Sequence, residues 1–215
     1  MRSLALILSL CPALAWACTD PVCVVAPDTL DLPREITFDG TPGGYGPGFL
    51  VNDVLRLDGA QFAERFVGQR IERRGDHDAV TGAAFGPLTL IPGAAGQNLS
   101  VVAFRGIRVL NGYGAEGYPK RRAQGEGAIA ILFDDDQYAL TLDIRGGEAG
   151  AARILFLARS GAVIADLSVA PVGEEAIGFL RAGGVDDIAG IVLTNTDPQG
   201  IALDTITFGK PLDLS

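Results

Sequence analysis

The stretch AIAILFDDDQYALTLDIR, residues 128–145, decides the fold. Ala128 to Phe133 are apolar at every position, the pattern of a strand buried on both faces. From Tyr138 the pattern alternates: Tyr138, Leu140, Leu142 and Ile144 fall on one side, and Ala139, Thr141, Asp143 and Arg145 on the other. A period of two marks a strand with one face on a core and one toward water. Asp134, Asp135 and Asp136 lie between these segments and read as a solvated turn, where Asp bonds its own nearby backbone.

The same rhythm continues outward. RILFLAR (153–159) turns at Ser160-Gly161 into AVIADLSVA (162–170), a hairpin signature. AIGFLR, IAGIVLTN and IALDTITF follow, and EITF (35–38) opens the set. Short apolar runs separated by Gly, Asp, Asn and Pro, with no long 3.6-residue period, predict an all-β, antiparallel, jelly-roll-like β-sandwich. Residues 58–125 are less regular. Phe62 and Phe66 in AQFAERF are four apart, which suits either a short helical turn or a strand. Two Gly-rich loops stand out, GTPGGYGPGF (40–49) and NGYGAEGYPKRR (111–122).

The sequence has 215 residues, with 17 Lys and Arg against 26 Asp and Glu, for a net charge of −9. An acidic chain is a poor partner for nucleic acid or an anionic membrane surface. A hydrophobic content of 48% excludes a disordered chain, and 29 Gly and 12 Pro without a G-X-Y period exclude collagen.

Residues 1–17 read as a cleaved export signal: Arg2, an apolar run from Leu4 to Leu14, and the small-x-small site Ala15-Trp16-Ala17. The run is shorter than the roughly 20 residues that a membrane span needs. The expected divisions are the signal at 1–17, an N-terminal segment at 18–34, a single β-sandwich domain at 35–210 and a tail at 211–215. The location is then secreted or periplasmic. Cys18 and Cys23 remain after cleavage, and an even pair in an oxidising compartment suggests a disulfide. The rival reading lipidates Cys18. It fits less well, because Ala15 and the bulky Trp16 stand where bacterial lipoproteins carry Leu and a small residue.

EITFDG (35–40), followed by a Gly-rich loop, and DIAGIVLTN (187–195) with IALDTITFG (201–209) resemble exported bacterial β-sandwich domains. These are jelly rolls of the galactose-binding and carbohydrate-binding-module type, including the ectodomains of PEP-CTERM surface proteins. The resemblance implies a jelly roll, often a structural calcium ion and sometimes sugar binding. The PEP motif, transmembrane helix and basic tail of such surface proteins have no counterpart here, so anchoring by that route is not implied.

Several residues could carry chemistry. By plain alternation Asp204 shares a face with Ala202, Ile206 and Phe208, and a carboxylate on an apolar face needs compensation. Calcium takes about six to eight oxygens, and Asp39 at the end of the first strand is the natural second ligand. Otherwise Asp204 bonds backbone amides. RRGDHD (73–78) holds the only His, His77, and reads as a polar loop, because neighbours on a strand cannot all face one ion. Tyr45, Tyr113 and Tyr118 on the Gly-rich loops offer flat faces for a sugar ring, with Asn111 and Glu116 to bond hydroxyls. The alternative is that these rings shield the sandwich end. Lys120, Arg121 and Arg122 read as a solvated loop.

Catalytic patterns are lacking: no G-x-S-x-G, no H-E-x-x-H and a single His. Glu126 and Asp134, eight apart on one strand, would be ~26 Å from each other, too far for a glycosidase pair. The expected function is an exported, non-catalytic binding module for a glycan or other extracellular surface component, with no membrane span. A structural or adhesion protein is the alternative, and a glycoside hydrolase the third reading.

Overall fold

The structure is a computed structural model that describes residues 20–173 and 176–211. Two antiparallel sheets face each other. The larger runs in the order β1 (Val22–Val25), β16 (Ala176–Arg181), β13 (Ala139–Gly146), β18 (Ile201–Phe208), β11 (Ile107–Gly112), β10 (Leu99–Phe104) and β3 (Phe49–Val51). β2 (Arg34–Thr37) pairs with the same edge of β18 as β11 does, along Thr205–Phe208. The smaller sheet runs β15 (Val163–Val169), β14 (Ala152–Leu157), β17 (Ile188–Asn195), β12 (Ile129–Gln137), β5 (Ala60–Ala63) and β4 (Leu55–Leu57). Two ribbons complete it, β6 (Arg65–Phe66) with β9 (Leu90–Ile91) and β7 (Arg70–Arg74) with β8 (His77–Thr81). The all-β antiparallel sandwich is as expected. Among the described residues no helix is long and apolar enough to cross a membrane.

The chain changes sheet between β3 and β4, and from β11 onward between every pair of successive strands except β14 and β15. These switches place the alternating residues of both sheets on one core. Leu140, Leu142 and Ile144 meet Ile129, Ile131 and Phe133 there, with Leu203 and Phe208. The other face of β12 is also covered. Ala128 and Ala130 lie with Phe66, Val80 and Leu88 in a second apolar cluster beneath the ribbons. That second layer is why Ala128–Phe133 carries no polar residue on either side.

Two local expectations change, and one open alternative resolves. Asp134–Asp136 are extended within β12, beside a register irregularity between Leu132 and Gln137, and Asp136 pairs with Arg159 at 2.6 Å. AQFAERF is strand, not helix: Phe62 and Phe66 are both fully buried, on different strands. Residues 18–34 were expected outside the sandwich, yet β1 pairs with β16 and extends the larger sheet. The signal at 1–17 and Cys18 lie outside the described residues. Among the described residues no ribbon covers the outer face of the larger sheet, and that face positions the site.

Candidate functional site

β10 and β11 form a hairpin closed by Arg105-Gly106, both at positive φ (49° and 93°), the geometry of a type I′ turn. Leu99, Val101 and Leu110 point into the core, so alternation puts Ser100, Val102, Phe104, Val109 and Asn111 on the outer face. The loop carrying Tyr45 is stitched along β10: the Gly44 N–H donates to the Val101 carbonyl (3.2 Å), and the Ala103 N–H donates to Gly44 (2.8 Å). Opposite stands the short 3-10 turn Arg121–Ala123, followed by Gln124. Tyr45, Phe104, Arg121, Gln124 and Gln199 edge a groove of about 560 Å³ with Val102, Val109, Ile201 and Ala202 among its apolar lining.

Two buried polar brackets shape this groove. Asp197, 1% exposed, accepts the backbone N–H groups of Ala149 and Gln199, each at 2.8 Å. It thereby sets the positions of Glu148 and Gln199, both on the groove. The Tyr113 hydroxyl donates to the Pro47 carbonyl at 3.0 Å, tying the second Gly-rich loop to the first. Gly127 allows the second loop to lie so close: a Cβ there would meet the Tyr113 backbone at 2.5 Å. Among the described residues the side chains of Asn111, Arg121, Glu148 and Gln199 have no hydrogen-bond or ion-pair partner, and Gln124 Nε2 is buried without one.

The expected sugar-binding residues divide. Tyr45, 86% exposed, and Asn111 come together in the groove. Tyr113 does not offer a face: its ring is fully buried, and burial pushes its hydroxyl pKa up to about 12. Tyr118 is 38% exposed, with its ring edge-on to Tyr113 at 5.7 Å. Glu116 is held by Arg122 and Lys120. The buried Tyr113 fits the alternative reading, a ring that shields the sandwich end, while Tyr118 and Glu116 lie outside the groove lining. Phe104, Arg121, Gln124, Glu148 and Gln199 were not singled out as ligand residues. They come from separate loops and strands, and Arg105-Gly106 alone marked a hairpin tip.

Asp204 is placed differently from expectation. β18 holds one extra residue against β13, since Asp143 faces Thr205 while Ile144 faces Leu203. The bulge shifts the phase. Ile201, Leu203, Ile206 and Phe208 therefore share the core face, and Asp204 turns outward. Arg145 compensates it, with Nη2 at 2.6 Å and Nε at 2.9 Å from Oδ2. Asp39 accepts the Arg108 N–H at 2.8 Å. Of the two expected calcium ligands, Asp204 thus has a guanidinium partner and Asp39 a backbone amide. Among the described residues no group of three or more His, Cys, Asp or Glu is placed to hold a metal ion.

A second cavity, of about 400 Å³, lies by the ribbons, with Glu64, Arg65, Arg70 and Asp78 on its walls. Burial, then Glu64 and Glu126, push the Asp78 carboxyl up to about 7. Glu64 and Glu126 are raised too, chiefly by burial. RRGDHD, read as a polar loop, is the β7–β8 hairpin: Asp76 pairs with Arg73 at its turn, and the His77 ring Nε2 is 2.7 Å from the Asp197 carbonyl.

No protein-family model matches the chain, and no curated protein matches it. Among solved structures, CsCBM6-3 from Clostridium stercorarium, in complex with cellobiose, is similar at 12% identity and a TM-score of 0.30. The match covers 53% of this chain and 82% of that one. So loose a likeness has no bearing on what the groove holds.

Proposed function

We propose that the protein is an exported, non-catalytic binding module that holds a glycan in the groove on the larger sheet. The observation that carries this is the composition of the groove: two exposed aromatic rings, Tyr45 and Phe104, an apolar floor, and amide, guanidinium and carboxylate groups without protein partners. A sugar presents apolar C–H faces edged by hydroxyls that both donate and accept. Rings and planar polar groups around an apolar floor complement it. Calorimetric titration of a glycan panel tests the reading. Tyr45→Ala and Phe104→Ala should each weaken binding by about 0.5–1.5 kcal/mol, the scale of an aromatic contact beyond plain burial. Retention of no glycan, or affinity indifferent to both changes, would overturn it.

Export and a Cys18–Cys23 disulfide belong to the same proposal. The intact mass of the native protein tests both, since a lipid adduct on Cys18 would contradict the disulfide.

A hydrolytic reading draws on one observation, that Glu64 between β5 and β6 and Asp78 on β8 line one cavity, as paired carboxylates do in glycosidases. Reducing-sugar release that is lost in Asp78→Asn would favour it.

A further inference from the structure

We propose that the glycan in this groove is acidic, and that a uronate carboxylate seats on Arg121 and Gln124. The inference rests on the glycan reading of the groove and adds the class of sugar.

Arg121 opens the 3-10 turn Arg121–Ala123 and Gln124 caps its end, three residues on. Both line the groove. The turn itself is closed, since the Gln124 N–H donates to the Arg121 carbonyl at 3.2 Å. Its side chains are not satisfied. Gln124 Nε2 is buried with no acceptor, and a buried donor without an acceptor is costly. The Arg121 guanidinium has no carboxylate or carbonyl partner among the described residues.

That is unusual in this chain. Acidic side chains outnumber basic ones, 26 to 17, and the described arginines and lysines otherwise find polar partners except for Arg70 and Arg105. Arg105 does not line the groove and lies instead over Phe104, with its guanidinium carbon 5.1 Å from the centre of that ring. Arg145, by contrast, is already neutralised by Asp204 and Asp143. The open donors on the 121–124 wall are therefore the guanidinium and the amide, and the Asn111 and Gln199 amides are open elsewhere in the groove. A carboxylate accepts from both wall donors, and an Arg–carboxylate contact is of the charge-assisted kind. Glu148 supplies an acceptor for sugar hydroxyls elsewhere in the groove. The overall negative charge opposes approach only weakly, because salt screens charges that lie farther than about 8 Å from the site at physiological ionic strength.

The test is calorimetric titration of uronate polymers, each against its carboxyl-reduced counterpart and against a sulfated neutral polymer, at about 0.15 M salt. At least one uronate polymer should be held at least about tenfold more tightly than its reduced form. Arg121→Ala and Gln124→Leu should each remove that preference and leave the binding of the reduced form within about twofold. Both are wall residues outside the core, and unchanged melting temperatures would confirm folding. Equal binding of uronate and reduced polymers, still weakened by Tyr45→Ala, would overturn the acidic ligand and leave the glycan reading standing. A preference for the sulfated polymer would overturn the carboxylate. Retention of none would overturn both readings.

Discussion

Arg145 on β13 clamps Asp204 on the neighbouring β18, two guanidinium nitrogens lying 2.6 and 2.9 Å from one carboxylate oxygen. The same arginine reaches Asp143 at 3.1 Å. One cation thus serves two acids on the outer face of the larger sheet, beside the groove. The clamp occupies the bulge that sequence alternation could not foresee.

Removing that cation leaves two carboxylates facing each other. Breaking a buried pair costs about 3–5 kcal/mol, and partial exposure here reduces that. Arg145→Met should destabilise by about 2 kcal/mol, which lowers the melting temperature by roughly 4–8 °C in a domain of this size. Asp204→Asn should cost less, since the amide removes the charge that needs compensation. With Asp204 paired to Arg145 and Asp39 bonded to the Arg108 backbone amide, calcium and EDTA should leave the wild-type melting temperature unchanged. A calcium-dependent rise lost in Asp204→Asn would contradict this.

The Asp78 carboxyl, pushed up to about 7 from 3.8, binds its proton more tightly in the folded than in the unfolded chain. Its neutral form is favourable throughout at low pH. Stability is lost as pH rises from about 4 through about 7, and the loss is complete above that. Glu64 and Glu126 are raised as well and act in the same direction. The melting temperature should fall between pH 5 and pH 8. Asp78→Asn should flatten that slope and exceed the wild type at pH 8. A wild-type curve rising over this range would show that the cluster is not what dominates.

Tyr113→Phe keeps the buried ring and removes only the bond to Pro47. A typical buried hydrogen bond contributes about 0.5–1.5 kcal/mol, so the melting temperature should drop by a few degrees. The Tyr45 loop loses a tether, and glycan affinity should weaken although Tyr113 touches no ligand. Tyr113→Ala should instead compromise folding, because truncating a buried aromatic costs about 3–5 kcal/mol. Urea denaturation of the two variants separates these outcomes.

Asp197→Ala deprives the Ala149 and Gln199 N–H groups of their acceptor. Bonds from amides to a charged group contribute about 1.5–3 kcal/mol each, so a loss of at least about 2 kcal/mol is expected, measured by chemical denaturation. Hydrogen exchange at Ala149 and Gln199 should accelerate together. Acceleration at one site alone would mean that the two loops are held independently.

Residues 128–145 determined the sandwich by themselves. A period of two at Leu140, Leu142 and Ile144 can face a core only as a strand, and an all-apolar run such as Ala128–Phe133 needs cover on both sides. The flat exposed ring at Tyr45 and the polar Asn111 were also legible, because Gly-rich loops and strand ends advertise themselves locally. Tertiary structure decided the rest. Whether Tyr113 lies outside or inside depends on Pro47, 66 residues away, offering a carbonyl to its hydroxyl. Whether Asp204 faces core or water depends on one extra residue in its pairing with β13, and strand alternation is blind to a bulge. The groove combines side chains from hairpin, loop, 3-10 turn and β18, and their convergence follows from which strands pair, not from spacing along the chain.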